Sequence, residues 1–228
     1  MSVWNIGSFG TKLLWFVLMF LFDTFKDDEV FDVVDEFDEE GLIAFRTLRL
    51  NTLFFWFPGF LRLFCNKTVF KKRTSYNFLG IKQTQSVFKF EADMWFDPKN
   101  KSSEAGIAWV QKDNYYLIFS VSSSNKGLQL ELKVKSPDQQ DVTTIASKYL
   151  EGYQGKIQFK IEANKDEYTF FYKTNHTNFQ EFTKTPAHIL ISKGYTGAHL
   201  GPFSSGLHSM SKDFADFDNI LLSVTPWF

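Results

Sequence analysis

The sequence predicts an all-β protein, built as a two-sheet antiparallel jelly-roll sandwich. Apolar and polar residues alternate with a period of two along most of the chain after residue 42, as in strands with one buried face. Turn-forming residues interrupt this alternation about every ten residues. No stretch beyond the N-terminal segment has the period of a helix, about 3.6 residues. Roughly ten to thirteen short strands in one domain fit a sandwich of two sheets.

The composition bounds the classes of protein to consider. The 228 residues are 44% hydrophobic and include 28 Phe, which is enough apolar material for a packed core and excludes a disordered chain. The 25 basic residues nearly balance the 26 acidic ones, so the net charge is −1. This balance argues against a nucleic-acid-binding protein that works by neutralising phosphates. The single Cys65 can form neither an intramolecular disulfide nor a zinc site of several cysteines.

The N-terminal segment differs from the rest of the chain. Residues 13–22 (LLWFVLMFLF) form an unbroken apolar run. The run is too short to span a bilayer, which takes about 20 apolar residues. Its length fits a secretory signal, although no cleavage site of small residues follows. We therefore divide the chain into an apolar extension, residues 1–28, and a sandwich domain, residues 29–228. The extension is either a signal or anchor, the only membrane contact we expect, or a segment packed on the domain.

The clearest strand covers residues 88–96, where Phe, Phe, Ala, Met and Phe occupy every second position. Trp95 lies in the polar phase of this strand, so its side chain either faces solvent or packs under a loop or against the N-terminal segment, and packing is the more common outcome for a tryptophan. The same alternation recurs over residues 128–135, 156–161 and 168–172. Each of these stretches is predicted to be a strand with one buried face.

Several short blocks follow one another along the chain in a fixed order. They are 35–38 (DEFD), 58–63 (PGFLRL), 78–83 (FLGIKQ), 88–98, 105–108 (AGIA), 195–201 (YTGAHLG) and 215–219 (ADFDN). No single block is specific, but in this order they resemble the concanavalin A-like C-terminal domain of glycoside hydrolase family 43 β-xylosidases. The resemblance covers about residues 29–224. In the last block, Asn219 and Ile220 depart from the aromatic that is usual there.

The resemblance implies a carbohydrate-associated role. In that family a five-bladed propeller preceding this domain carries the catalytic acids, and only the accessory sandwich is expected here. The expected function is non-catalytic binding of a xylan-type or other plant-type glycan, or of a glycosidase propeller. One alternative is a small glycosidase acting on xylan-type polysaccharide. Another is a structural relic or protein-docking domain.

Candidate residues follow for each of these functions. Hydrolysis needs two carboxyl groups facing each other across the glycosidic bond. Glu91 with Asp93, and Asp216 with Asp218, share one face of a strand at i, i+2, but nothing else marks either pair as catalytic, so no catalytic residues are predicted. Sugars are bound by aromatic faces beside polar groups. The candidates for carbohydrate binding are Trp95, Trp109, Tyr115 and Tyr116.

Metal binding is the other use considered for the acidic residues. Nine of residues 27–40 are Asp or Glu, and the apolar residues among them favour an edge strand with outward carboxylates. The resemblance implies one structural calcium where the first and last strands meet, and calcium prefers oxygen ligands of this kind. The alternative is that Asp216 and Asp218 cap a turn or pair with Lys212. The predicted ligands are Asp35, Asp38, Asp216 and Asp218.

The compartment is predicted from glycosylation signals. Three Asn-x-Ser/Thr sequons begin at Asn66, Asn100 and Asn175. Two of them fall in predicted turns, where an attached glycan would be accessible. They favour a secreted, extracellular protein over a cytoplasmic one.

Overall fold

The computed structural model describes most of the predicted sandwich. The described residues are 2–5, 42–44, 54–57, 60–65, 77–112, 114–125, 127–153, 155–174, 178–190, 197–206 and 211–224. Two predicted features, the apolar run 13–22 and the acidic stretch 27–40, lie outside them. Sequons Asn66 and Asn175 also lie outside them. The secreted location of the protein stays a prediction.

The first sheet has eight strands, and every neighbouring pair in it is antiparallel. Along the sheet the strands follow the order β13-β12-β11-β6-β15-β4-β3, and β1 pairs with the second half of β15. Their bounds are β1 Ser2–Asn5, β3 Phe54–Phe57, β4 Phe60–Phe64, β6 Phe88–Phe96, β11 Lys156–Ala163, β12 Glu167–Thr174, β13 Gln180–Pro186 and β15 Phe214–Val224.

The second sheet has seven antiparallel strands in the order β10-β9-β8-β7-β14-β5-β2. Their bounds are β2 Leu42–Ala44, β5 Asn77–Lys82, β7 Glu104–Lys112, β8 Tyr115–Ser124, β9 Gly127–Lys135, β10 Thr143–Tyr149 and β14 His199–Ser205. The two sheets confirm the predicted all-β sandwich.

Helical structure is minimal within the described ranges, which contain one turn of 3₁₀ helix at Ala187–Leu190. Among these residues no helix has the length and apolar character needed to cross a membrane. Ser2–Asn5, inside the predicted N-terminal extension, pairs with the end of β15, where Ser2 is opposite Val224. At least this part of the extension belongs to the first sheet.

The core lies between the inner faces of the two sheets and is rich in aromatic rings. Phe119 on β8 is fully buried. Its ring meets Phe159 and Phe170 edge-on, with centroids 5.0 and 5.4 Å away, and stacks on Phe182 at 5.5 Å. Aromatic pairs prefer such edge-on and offset arrangements. These contacts join β8 of the second sheet to three strands of the first, and so fix how the sheets sit on each other.

Two strand glycines allow neighbouring backbones to come close. A Cβ on Gly201 of β14 would overlap the carbonyl oxygen of Leu79 on β5. A Cβ on Gly106 of β7 would likewise overlap the carbonyl oxygen of Phe119 on β8. The obstacle is backbone in both cases, so a side chain cannot move aside to make room. Glycine is therefore required for the second sheet to keep this register.

We expect Gly201→Ala to destabilise the protein by about 1–3 kcal/mol, because the added methyl forces β5 and β14 apart. The urea midpoint of unfolding measures the loss. Gly197→Ala is the matched control, since a Cβ there lies 3.4 Å from its nearest neighbour, the carbonyl oxygen of Gln83. Equal midpoints for both variants would contradict the prediction.

Candidate functional site

Trp95 lies on the outer face of the first sheet, near the C-terminal end of its central strand. It lies on β6, opposite Lys156 of β11 on one side and Asp216 of β15 on the other. The even-phase residues of β6, Phe88 to Phe96, are buried at 0–4% exposure, so Trp95 faces outward with 39% of its surface exposed. Of the two positions considered for Trp95, the structure shows the solvent-facing one.

Lys156 holds the indole of Trp95 from one side. Its Nζ lies 4.3 Å from the indole centroid, which is cation–π distance. The same Nζ forms an ion pair with Asp93 Oδ2 at 3.2 Å. Because Lys156 is tied to both groups, the indole and the carboxylate next to it on the sheet are held in a fixed relation.

Asp93 is an outward carboxylate that is nevertheless buried, with 5% exposure. Gln158 Nε2 donates to its Oδ1, and Asn219 Nδ2 donates to its Oδ2 at 3.1 Å. Asn219 reaches it because the pairing of β15 with β6 shifts register between Asp218 and Leu221. Asn219 has φ 48°, a left-handed conformation that asparagine tolerates better than most residues. Its departure from the family pattern thus has a local role.

Arg62 and Asp216 form the other side of this face. Arg62 Nε and Nη2 donate to the two carboxylate oxygens of Asp216 at 2.6 and 2.7 Å, a bidentate pair. This hydrogen bonding raises the pKa of Arg62 above its ordinary value. The guanidinium carbon also lies 3.8 Å from the ring centroid of Phe214, which is 39% exposed. Arg62 is therefore fixed by a carboxylate and an aromatic ring together.

Together these groups make one continuous surface, which we call the Trp95 surface. It runs across four adjacent strands, β4, β15, β6 and β11. Two exposed aromatic rings flank a paired cation and anion at its centre. It consists of Arg62, Asp93, Trp95, Lys156, Phe214, Asp216 and Asn219.

The structure does not bring the other three predicted sugar-binding aromatics to this surface. Trp109 is 1% exposed and lies in the core, with its ring centroid 4.3 Å from that of Tyr168, and its Nε1 donates to Gln83. Tyr115 is also a core residue. Tyr116 is buried on the far side of the second sheet, where burial raises its pKa to about 12. None of the three offers an open ring face to a sugar, and among the four candidates only Trp95 is exposed.

The reason lies in how the second sheet is covered. Apolar residues on its outer face form a second buried cluster that includes Phe78, Ile118 and Phe203. The central strand β7 is consequently buried on both faces from Glu104 to Val110. A strand of this kind shows no polar alternation. In such a strand, the sequence alone does not distinguish a buried aromatic residue from an exposed one.

The outer face of the second sheet also holds a buried ionic group. Lys133 Nζ lies 2.6 Å from Glu104 and 3.3 Å from Glu131. Ser120 donates to Glu104, and Ser122 donates to Glu131 at 2.6 Å. One lysine pairs with both carboxylates, and a serine hydroxyl donates a hydrogen bond to each of them, as charges removed from water require. These contacts within the second sheet give the group a structural role.

Two of the predicted calcium ligands have other partners. Both carboxylate oxygens of Asp216 accept hydrogen bonds from Arg62, and Asp218 Oδ1 accepts one from the backbone N–H of Asn219. A guanidinium thus occupies the position that a cation would take at Asp216. Asp35 and Asp38 lie outside the described residues. The part of the chain that the structure describes holds no group of three or more His, Cys, Asp or Glu suited to a metal. The calcium ion stays a prediction.

Comparison with known proteins agrees with this architecture. Residues 34–221 match the model of the beta xylosidase C-terminal concanavalin A-like domain of glycoside hydrolase family 43. The chain belongs to this family.

Its relatives are longer proteins. The chain is 27% identical over 195 residues to a non-reducing end alpha-L-arabinofuranosidase, BoGH43B of Bacteroides ovatus, covering 82% of this chain and 36% of the relative. A solved structure titled Bacteroides ovatus xyloglucan PUL GH43B superposes with TM-score 0.71 at 21% identity, over 87% of this chain and 39% of that one. The xylan beta-1,4-xylosidase of Bacillus halodurans gives TM-score 0.70 at 16% identity, over 88% and 40%. The chain spans less than half the length of each.

The buried His199 makes the stability of the fold depend on pH. Burial, followed by the charge of Lys82, lowers the pKa of His199 from 6.5 to about 4. As the pH falls, the unfolded chain binds a proton at this histidine before the folded chain does. Stability from this residue is therefore fully present above about pH 6.5 and is lost as the pH falls towards 4.

We expect the free energy of unfolding to fall by about 2 kcal/mol between pH 7 and pH 5 through His199. Urea unfolding of the wild type and His199→Gln at both pH values measures this share, and the variant should lose less. His188→Gln, which changes an exposed histidine, is the control and should follow the wild type. An unchanged pH dependence in His199→Gln would exclude this role.

Proposed function

We propose that this domain is a non-catalytic module that binds a glycan of xylan type or another plant type through the Trp95 surface. The observation that supports this function is the exposed indole of Trp95, held in place by Lys156 at 4.3 Å on a sheet of fixed register. Its relatives carry the names of glycosidases, which favours a carbohydrate as the ligand.

The surface suits a pyranose ring for physical reasons. The apolar C–H face of a sugar stacks on an aromatic ring, and the sugar hydroxyls need hydrogen-bonding partners beside it. Trp95 and Phe214 supply the rings, while Asp216, Arg62 and Lys156 supply charged partners in the same row. These side chains already contact one another, so binding costs little additional ordering of the protein.

The carboxylates of the Trp95 surface are poorly suited to hydrolysis. Asp93 accepts hydrogen bonds on both oxygens, and Asp216 accepts both of its bonds from a guanidinium. A general acid has to hold a proton and transfer it to the leaving oxygen. Each oxygen of these two carboxylates already accepts a hydrogen bond from a neighbouring side chain. These contacts favour binding over catalysis.

We expect Trp95→Ala to abolish binding of xylo- and arabino-oligosaccharides, because it removes the stacking platform. Binding is measured as a ligand-dependent rise in melting temperature, since a ligand that binds only the native state stabilises it. Tyr149→Ala is the matched control, because it removes another exposed aromatic, 43% exposed, from the other sheet. Its binding should equal that of the wild type.

Two results would contradict the proposed function. One is a wild-type protein whose melting temperature no glycan in a broad panel raises. The other is release of sugar from xylan by the purified protein, lost on Glu91→Ala or Asp93→Ala, which would make it a small glycosidase.

The second candidate ligand is a glycosidase propeller on a separate chain. It is favoured by the length of the relatives, of which this domain matches 36–40%. In that case the Trp95 surface or another face would contact protein. Co-purification with a family 43 propeller, in the absence of any glycan effect on melting, would identify this partner.

A further inference from the structure

The connection between β6 and β7, residues 97–103, is built around Asn100. It contains the sequon that begins at Asn100 and ends at Ser102, and the structure describes every residue of it. A sequon marks an acceptor of an N-linked oligosaccharide only where the side-chain nitrogen of the asparagine can carry a bulky group into solvent. The geometry around Asn100 meets this condition, as its hydrogen bonds show.

The backbone of this turn is fixed by a carboxylate from a distant part of the chain. Asp213 Oδ1 accepts a hydrogen bond from the N–H of Lys99 at 3.1 Å, and its Oδ2 accepts one from the N–H of Asn100 at 2.8 Å. Ser103 Oγ donates to the same Oδ2 at 2.7 Å, and the N–H of Ser103 donates to the carbonyl of Asn100 at 3.1 Å. These bonds hold the backbone on both sides of the asparagine side chain.

The side-chain amide of Asn100 is oriented by Ser102. The backbone N–H of Ser102 donates to Asn100 Oδ1 at 3.0 Å, and the Ser102 hydroxyl donates to the same oxygen at 2.9 Å. An N–H group only donates, so the amide atom that faces it has to be the oxygen and not the nitrogen. The arrangement is an Asx turn. It leaves Asn100 Nδ2 on the side of the amide that points away from Ser102.

Asn100 Nδ2 is accessible to solvent. Within the described residues it donates no hydrogen bond, and it does not belong to the buried side-chain atoms that lack a partner. The flanking residues Lys99 and Lys101 are exposed, and Lys101 Nζ is drawn aside by a hydrogen bond to Asn125 Oδ1 at 2.9 Å. A group attached to Nδ2 therefore projects outward and breaks none of the hydrogen bonds that hold the turn.

We propose that Asn100 carries an N-linked oligosaccharide in the secreted protein, an inference that uses the predicted secretory route and not the proposed glycan binding. The donor is a lipid pyrophosphate-linked oligosaccharide, and an oligosaccharyltransferase makes the transfer. Nδ2 forms a bond to the anomeric carbon of the first sugar, the bond from that carbon to the pyrophosphate oxygen breaks, and one of the two Nδ2 protons is released to solvent. The modified amide keeps its oxygen, so both hydrogen bonds from Ser102 are preserved.

A second turn provides a matched control. Asn164, between β11 and β12, accepts through its Oδ1 from the backbone N–H groups of Asp166 at 2.8 Å and Glu167 at 2.7 Å. The sequence there is Asn-Lys-Asp, whereas the sequence at Asn100 is Asn-Lys-Ser. The two Asx turns thus share their first two residues and differ in the hydroxyl that a sequon requires.

The full chain, produced behind a cleavable secretory signal in a eukaryotic host, tests the inference. N-glycosidase converts an asparagine that carries an oligosaccharide to aspartate, and mass spectrometry of the peptides then locates each converted residue. We expect conversion at Asn100 and none at Asn164. Ser102→Ala should lose the conversion at Asn100, while Ser102→Thr, which retains the hydroxyl, should keep it.

Two outcomes overturn the inference. One is an unmodified Asn100 in the secreted wild type, a result that needs no variant and so does not depend on whether Ser102→Ala folds. The other is conversion at Asn100 that persists in Ser102→Ala. Both are read from peptide masses, whereas glycan binding by the Trp95 surface is read from the melting temperature with added oligosaccharides. The two proposals therefore fail separately.

Discussion

The pairing of β15 with β6 on one side and β4 on the other is the constraint on which the Trp95 surface depends. This pairing places Asp216 opposite both Trp95 and Arg62 in one row. Phe217, the next residue, is fully buried on the inner face. A slip of one residue would turn Asp216 inward and Phe217 outward, at the cost of a buried charge and an exposed ring. The hydrophobic core therefore sets the geometry of the outer face.

The outer faces of the two sheets differ in polarity. The first sheet shows solvent a polar face on which Arg62 pairs with Asp216 and Lys156 pairs with Asp93, beside the exposed rings of Trp95 and Phe214. The second sheet carries an apolar cluster on its outer face, and its charged group around Lys133 is buried with Glu104 at 2% exposure. A binding role for soluble ligands consequently fits the first sheet. The second sheet contributes rigidity.

The sequence is sufficient to predict the fold because most strands have one buried and one solvent-exposed face, so apolar and polar residues alternate along them. In β6 this contrast predicts the core residues and places Trp95 on the outer face. In β7 both faces are buried, so apolar and polar residues do not alternate. The sequence therefore wrongly places Trp109 among the surface aromatics. Arg62 and Asp216 are separated by 154 positions, and no local pattern reports such a contact. The position of Arg62 between two buried leucines marks it only as outward-facing.

The pairing of β1 with the end of β15 has a mechanical consequence. Ser2 lies opposite Val224 in an antiparallel pair, so the first and last described residues lie side by side at the same end of this strand pair. A force that pulls Ser2 away from Val224 acts in the unzipping geometry, so it loads the hydrogen bonds of that ladder one after another. The bonds never share the load, so the terminal strand peels away under low tension while the rest of the sandwich is still folded.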